Sequence, residues 1–311
     1  MSVKENLLNN SSSFKYYKEN YENSLNEIDQ LKKIIKTKDD EIKDLSQKLD
    51  KEKKQVKELN KNLKRVRDAI INLRNNMFTK FREENLKINE LNYAFLFNDT
   101  IKNSDWLKQK NFSLNNAASN YSFMYTLFRV LDEVKPKNIL ELGLGQTSKL
   151  TTQFVDYFSD SNLIIVEGDQ NWIDHFSNSL NLNKNVEIVQ RNLETFNHNG
   201  TENLRYANLN DVVKDDKFDL IIIDGPQGFI MDPEPRELVY SRANIWNILD
   251  NLSQDFIIIM DDYNRDGEKN TMKHVEDLLT EKGITYYTFK SNGLKEQFVI
   301  CSEKYQFVSW F

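Results

Sequence analysis

The 311 residues carry 39% hydrophobic and 29% charged side chains, enough apolar material for one sizeable core and a further segment. Residues 1–80 hold 19 Lys and Arg against 13 Asp and Glu, leaving 23 against 35 for the remainder, and a remainder that acidic is a poor grip for phosphate backbones, so no nucleic-acid partner is expected. A single cysteine, Cys301, cannot form an intrachain disulfide, and no run approaches the roughly 18 apolar residues of a membrane span. The opening MSVKENLLNN lacks a basic and an apolar leader region, so the chain reads as cytoplasmic, with any membrane attachment left to partners.

All nine Gly and all four Pro fall at or after Pro136, so the first 135 residues lack the usual turn formers and should be mostly helix. From Phe14 to Met77 apolar residues recur at alternating steps of three and four, interrupted only by Ser24, Lys38 and Glu52. A helix with so long a stripe has nothing of its own to bury it against and calls for a partner helix. Ile28, Ile35, Ile42, Val56 and Ile70 at a, with Leu31, Leu45, Leu59 and Leu73 at d, form the pattern of a parallel homodimer. Such a coiled coil would be on the order of 95 Å long at about 1.5 Å per residue. Residues 80–117 lose this heptad but keep apolar clusters such as Tyr93–Phe97, and read as a helical or irregular collar rather than a free linker. The expected division is therefore a coiled coil over 1–79, a collar over 80–117 and an α/β domain over 118–311.

In that last part helix and strand patterns alternate, which implies a parallel sheet covered on both faces. Residues 121–134 predict a helix stopped at Pro136. Strands are predicted at 138–142, 162–167, 186–189, 218–224 and 256–261, mostly continuous apolar runs of the kind buried parallel strands show. Two late strands, ITYYTFK and EQFVIC, are joined by so short a turn that they must pair antiparallel. The predicted class is α/β, Rossmann-like, closing on a terminal antiparallel hairpin.

Three chemical elements sit at the carboxyl ends of these strands. In ILELGLGQTS, Glu141, Gly143 and Gly145 stand between a strand and a helix, where the backbone can approach a ligand; Ser148 occupies the place of the third Gly of the nicotinamide fingerprint. Glu167 ends the second strand, where a carboxylate can accept both hydroxyls of a ribose. DGPQGF and DDYNRDGE follow the fourth and fifth strands, so Asp224, Asp261 and Asp262 should converge at the cleft mouth. Three carboxylates there need a divalent cation such as magnesium, or hydrogen-bond donors, to hold them.

The E-x-G-x-G motif at Glu141–Gly145, the acidic end of strand two and the final hairpin resemble the class I S-adenosylmethionine-dependent methyltransferases over roughly residues 120–305. The resemblance implies a seven-stranded sheet with S-adenosylmethionine at its carboxyl edge. It places Gly143 and Gly145 around the methionine part, Glu141 near its ammonium, Glu167 on the ribose and Asn192 near the adenine, and Ser148 is counted with them as cofactor-binding. DGPQGFIMDPEPRELVYSRANI and DDYNR are similar to polysaccharide methyltransferases typified by glucuronoxylan 4-O-methyltransferase; the Asp-Asp pair is similar to metal-dependent sugar O-methyltransferases of the macrocin type. Pro226 stands where the latter carry a second acidic residue. Both imply methyl transfer to a hydroxyl or phosphate of a cell-surface saccharide and a role in polysaccharide biosynthesis, with Asp224 and Asp262 positioning the acceptor and Arg236 and Arg265 contacting an acidic sugar or phosphate, unless these arginines pair with neighbouring carboxylates. Three rival readings stand beside this one: a small-molecule methyltransferase, a protein methyltransferase, and a non-catalytic coiled-coil scaffold that kept the fold.

Overall fold

In a computed structural model, residues 12–114, 119–180 and 182–311 are described; the stretch read for a leader, residues 1–10, lies outside them. The described residues form two compact units, one ending at Thr79 and one from Lys80 to Phe311. No helix among them is long and apolar enough to cross a membrane.

Helix α1 runs over Ser12–Thr100. In the first unit every residue of it is exposed, the Ile and Leu of the heptads included. With no Gly, no Pro and i,i+3 or i,i+4 pairs such as Asp44 with Lys48, helix is the favoured local state, yet the apolar stripe remains uncovered within the chain.

In the second unit α1 ends on a turn of 3-10 helix, Ile101–Asn103, and Phe97, Ile101, Trp106 and Leu107 enter the same core as α2 (Tyr121–Val134). α2 stops where predicted, with Lys135 in the left-handed region ahead of Pro136. The remaining elements are β1 (Asn138–Leu142), α3 (Gln146–Tyr157), β2 (Asn162–Glu167), α4 (Gln170–Phe176), β3 (Val186–Gln190), β4 (Leu193–His198), β5 (Thr201–Tyr206), α5 (Leu209–Val213), β6 (Phe218–Ile223), β7 (Phe229–Asp232), β8 (Glu234–Glu237), a 3-10 helix (Ala243–Asn251), β9 (Leu252–Met260), α6 (Asp266–Glu281), β10 (Tyr287–Asn292), β11 (Glu296–Cys301) and a 3-10 helix at Glu303–Trp310.

Seven strands form one sheet in the order β10-β11-β9-β6-β1-β2-β3. β3, β2, β1, β6 and β9 are parallel, with Ile139 opposite both Leu163 and Leu220, and β11 is antiparallel to β9 and β10. Side chains alternate between two apolar layers: Ile139, Leu220 and Ile222 face one, and Leu140, Leu142, Ile221 and Ile223 the other. A sheet covered on both faces has no reason to alternate polar with apolar, which is why its central strands are mostly Ile, Leu and Val, as in Ile221–Ile223 of β6 and Ile257–Ile259 of β9. The mostly parallel seven-stranded sheet and its terminal antiparallel hairpin are the arrangement the sequence led us to expect.

Two strands start at a different residue from the sequence reading, while the other ends shift by no more than two residues. β9 begins at Leu252, four residues early, because that stretch pairs across an irregularity with Phe218. β10 begins at Tyr287 and not Ile284, because Gly283 and Ile284 are used to stop α6: Gly283, at φ +68°, donates to Thr280 and Ile284 donates to Leu279. Two hairpins, β4–β5 and β7–β8, have no counterpart in the sequence reading.

Candidate active site

β1, β6 and β9 end side by side, and the loops that follow them make the site. Gly143, at φ +104°, is where the chain leaves β1; a Cβ there would lie 2.8 Å from Gly225 N and 2.9 Å from the Asp224 carbonyl carbon. The loop after β6 presses on it so closely that only glycine fits. Gly145 meets nothing within 4 Å and faces open space, as a close-approach position for a ligand should. The Gly225–Pro226 peptide is cis.

Glu141 points under this loop rather than into the cleft. It is fully buried, and its carboxyl accepts hydrogen bonds from Thr147 (2.6 Å), Ser148 (2.8 Å) and Thr151 (2.7 Å) of α3. Burial pushes its pKa up to about 7, against the pull of those three hydroxyls. Ser148 Oγ also accepts from Gly145 N, so Ser148 caps the helix start and is itself buried. Glu141 and Ser148 therefore brace the glycine loop, and neither lines a recess; a direct contact of Glu141 with a ligand's ammonium group is not what the geometry offers.

Glu167 does face the cleft. Its carboxylate accepts from the amides of Leu144 (3.0 Å), Gly168 (2.6 Å) and Asp169 (3.0 Å). It lines a recess of about 600 Å3 with Gly143, Gly168, Gln190, Leu193, Tyr206 and Gly225. Asn192 is not among the lining residues: its side chain accepts from Gln190 Nε2, and Gln190 and Leu193 stand at the wall on either side of it.

A second recess of about 540 Å3 lies against the first and shares Leu144, Asp224 and Gln227 with it. Its other walls include Ser119, Gln146, Trp172, Phe176, Phe229, Arg242, Asp262, Arg265 and Lys295. The hydroxyl of Ser119 is buried here with no hydrogen-bond partner among the described residues.

The three aspartates converge as predicted, with one carboxylate oxygen of each within 4.8 Å of the others. What holds them is a set of cations. Arg242 Nη2 lies 2.7 Å from Asp262 and 3.8 Å from Asp224; Arg265 Nη1 lies 3.1 Å from Asp262; Lys295 Nζ lies 3.1 Å from Asp261 and 3.2 Å from Asp262. Gln297 Nε2 donates to the second oxygen of Asp261 at 2.7 Å. Every oxygen of Asp261 and Asp262 thus already takes a donor, so a magnesium ion, which binds through one or two carboxylates and water, would have to displace Arg242, Arg265, Lys295 or Gln297 to use them. The residues present do not fit a resident divalent ion; the charge it would bring is already supplied by Arg242, Arg265 and Lys295.

Arg242 and Asp262 both sit in the left-handed backbone region, at φ +57° and +58°, which costs a non-glycine residue on the order of 1 kcal/mol each. Their mutual ion pair, with both side chains buried, holds the two backbones there. Burial raises the Asp262 pKa, but Arg242, Lys295 and Arg265 outweigh it and keep that carboxylate below its ordinary range. Asp224 goes the other way: burial and the neighbouring Asp261 raise it well above the ordinary range, despite Arg242 and Lys295. With a side chain 18% exposed, it is the carboxylate of the three that opens into both recesses. Glu268, buried 3.6 Å from both Arg242 and Arg265, has its pKa raised by burial.

Arg236 is placed elsewhere, paired with Glu202 at 2.7 Å on exposed β8 and lining neither recess. The contact expected of it with an acidic acceptor is not built. Arg242 and Lys295 were missed by the sequence reading. The one signal for Arg242 is a lone basic residue inside the largely buried run 238–249, and Lys295 carries none, since it lies in what reads as an ordinary hairpin turn.

No family model and no curated protein sequence matches the chain. Among solved structures it is similar to an SAH-bound methyltransferase from Podospora anserina, at 16% identity, covering 68% of this chain and 86% of that one with a TM-score of 0.39. It is also similar to the O-methyltransferase TomG from Streptomyces achromogenes, solved with SAM (12%, 57% and 78%, TM-score 0.37), and to precorrin-6y C5,15-methyltransferase from Geobacter metallireducens (11%, 61% and 92%, TM-score 0.39).

Proposed function

We propose that this chain is an enzyme that transfers the methyl group of S-adenosylmethionine to a hydroxyl of a saccharide. The observation that carries the reading is the meeting of two recesses at Asp224, one walled by Glu167 and the glycine loop, the other by a ring of charged and amide side chains. S-adenosylmethionine would supply an electrophilic methyl group. Glu167 would accept the ribose hydroxyls, and the open backbone at Gly145 would admit the methionine part. Asp224 would hold the acceptor hydroxyl and take its proton as the new O–C bond forms and the S–C bond breaks, and a carboxylate with a raised pKa is a better base for that step than an ordinary one. Most of the acceleration comes from holding the two reactants together.

The saccharide class is favoured by the walls of the second recess, where Gln146, Gln227, Asp224, Asp262, Arg265 and Lys295 offer donors and acceptors around Trp172 and Phe176. Hydroxyl groups pair with the former and the apolar face of a sugar ring packs on the latter. Arg265, 31% exposed, keeps donors for an acidic substituent beyond those spent on Asp262 and Glu268. A role in polysaccharide biosynthesis follows from that acceptor.

The test is SAH release with a panel of neutral, carboxylated and phosphorylated oligosaccharides, on the native chain and on Asp224→Asn. Native activity on a saccharide, unchanged by a chelator and abolished in Asp224→Asn with cofactor binding intact, is expected. Turnover on phenols or peptides alone removes the acceptor class, and loss of activity to the chelator, restored by magnesium, reinstates the metal.

Residues 14–77 are further proposed to form a parallel homodimer, since the Ile and Leu of their a and d positions are exposed throughout the first unit. Sedimentation of the full chain at micromolar concentration as a monomer would remove this.

A further inference from the structure

From Lys80 onward α1 carries two apolar faces. Leu86, Glu90, Tyr93, Ala94 and Phe97 recur at helical spacing, are wholly or partly buried, and form the face turned into the second unit. Phe81, Ile88, Leu91 and Phe95 recur at the same kind of spacing but are 67, 54, 59 and 75% exposed. At about 100° per residue the mean directions of the two sets lie about 160° apart. One stripe is what a helix needs to sit on its own domain. The second, a file of large apolar side chains on the opposite side, is of the kind that marks an interaction surface.

Its phase says what covers it. Leu73 to Met77 is a step of four, Met77 to Phe81 is another, and the alternation then resumes through Glu84, Ile88, Leu91 and Phe95. The extra four residues are a stutter, which a left-handed coiled coil absorbs by unwinding locally. We propose that a second copy of the same helix covers this face, so that the pairing of residues 14–77 passes through the stutter and continues to Phe95. The inference rests on the homodimer reading and extends the interface into the unit that holds the active site. A parallel copy carries its own stutter at the same level, so both helices unwind together, which a partner of unrelated sequence would not do. The flanking positions are compatible: Lys80 and Lys87 at g would face Asn85 and Asn92 at e of the other copy, with no like charges opposed. Glu84, the polar member of the file, has Lys87 Nζ at 2.8 Å.

The test uses the full chain with one added cysteine at a time, Cys301 being buried. Leu59→Cys lies in the heptads, Leu91→Cys on the outer face, and Asn89→Cys is exposed but off it. After mild oxidation, Leu59→Cys and Leu91→Cys should run as disulfide-linked dimers on non-reducing gels and Asn89→Cys as monomer. Cross-linking at Leu59→Cys with Leu91→Cys no better than Asn89→Cys ends the seam before Lys80 and overturns the inference while the dimer stands. No cross-linking at either seam position overturns the dimer reading and this inference with it.

Discussion

Replacing Glu141 by Gln removes a charge that the fold disfavours while keeping the shape and most hydrogen bonds of the side chain. The carboxyl is fully buried, and its pKa stands at about 7 against an ordinary 4.5. Because the folded value is raised, the native state holds the proton longer than the unfolded chain does. The contribution of this residue to stability is therefore fully present below about pH 4.5 and is lost as pH rises through about 7. At about 1.36 kcal/mol per pH unit, the whole loss at this residue is about 3 kcal/mol. The four tryptophans, Trp106, Trp172, Trp246 and Trp310, all lie after Lys80, so urea unfolding followed by tryptophan fluorescence reads the second unit by itself. Between pH 4.5 and 8 the native chain should lose about 3 kcal/mol more than Glu141→Gln. Parallel pH dependences for the two proteins would refute the claim that this carboxyl is held neutral by burial, and with it the assignment of Glu141 as a brace that costs stability at neutral pH.

Glu167→Ala should weaken S-adenosylmethionine binding by about 1–3 kcal/mol in calorimetry, the range for hydrogen bonds to a charged group, and unchanged affinity would sink the ribose assignment. Arg242→Ala leaves Asp262 and Glu268 buried without their main counter-charge and should cost about 3–5 kcal/mol of stability, read by thermal unfolding. Arg236→Ala breaks an exposed pair and should cost less than about 1 kcal/mol in the same assay; equal losses in the two would mean that burial is not what sets the value of these arginines. NAD should show no saturable binding where S-adenosylmethionine does, because Ser148, in place of a third glycine, fills the helix start with a side chain already bonded to Gly145 and Glu141.

The sheet was legible because burial on both faces relaxes the polar constraint on its strands, so β1, β2 and β6 stand out as mostly apolar runs, broken only by Glu141 in β1 and Asp219 in β6 and ending on Glu167 in β2. The convergence of Asp224, Asp261 and Asp262 was legible for a topological reason, since parallel strands end their carboxyl sides together. What neutralises them was not, because Arg242 and Lys295 come from a 3-10 helix N-terminus and a hairpin turn whose arrival at the site depends on tertiary packing. The β4–β5 hairpin had a local signal that went unread: Asn199 and Gly200, at φ +51° and +81°, form the two-residue turn that Asn-Gly favours between strands. Arg236 was misplaced because a Pro/Arg segment says nothing about which way an exposed strand faces.

The contact of Gly143 with Gly225 has a consequence for how the site can move. A Cβ on either residue would meet the other's backbone at 2.8 Å, and one on Gly225 would also meet the Tyr206 hydroxyl at 2.5 Å. The loops after β1 and β6 are therefore stacked with no slack, and a displacement of one by more than a few tenths of an ångström must carry the other with it. Since these loops supply Leu144 and Asp224, the wall common to both recesses, that wall shifts as a single piece. Whatever seats itself first against the glycine loop also sets the stance of Asp224 toward the second molecule to arrive.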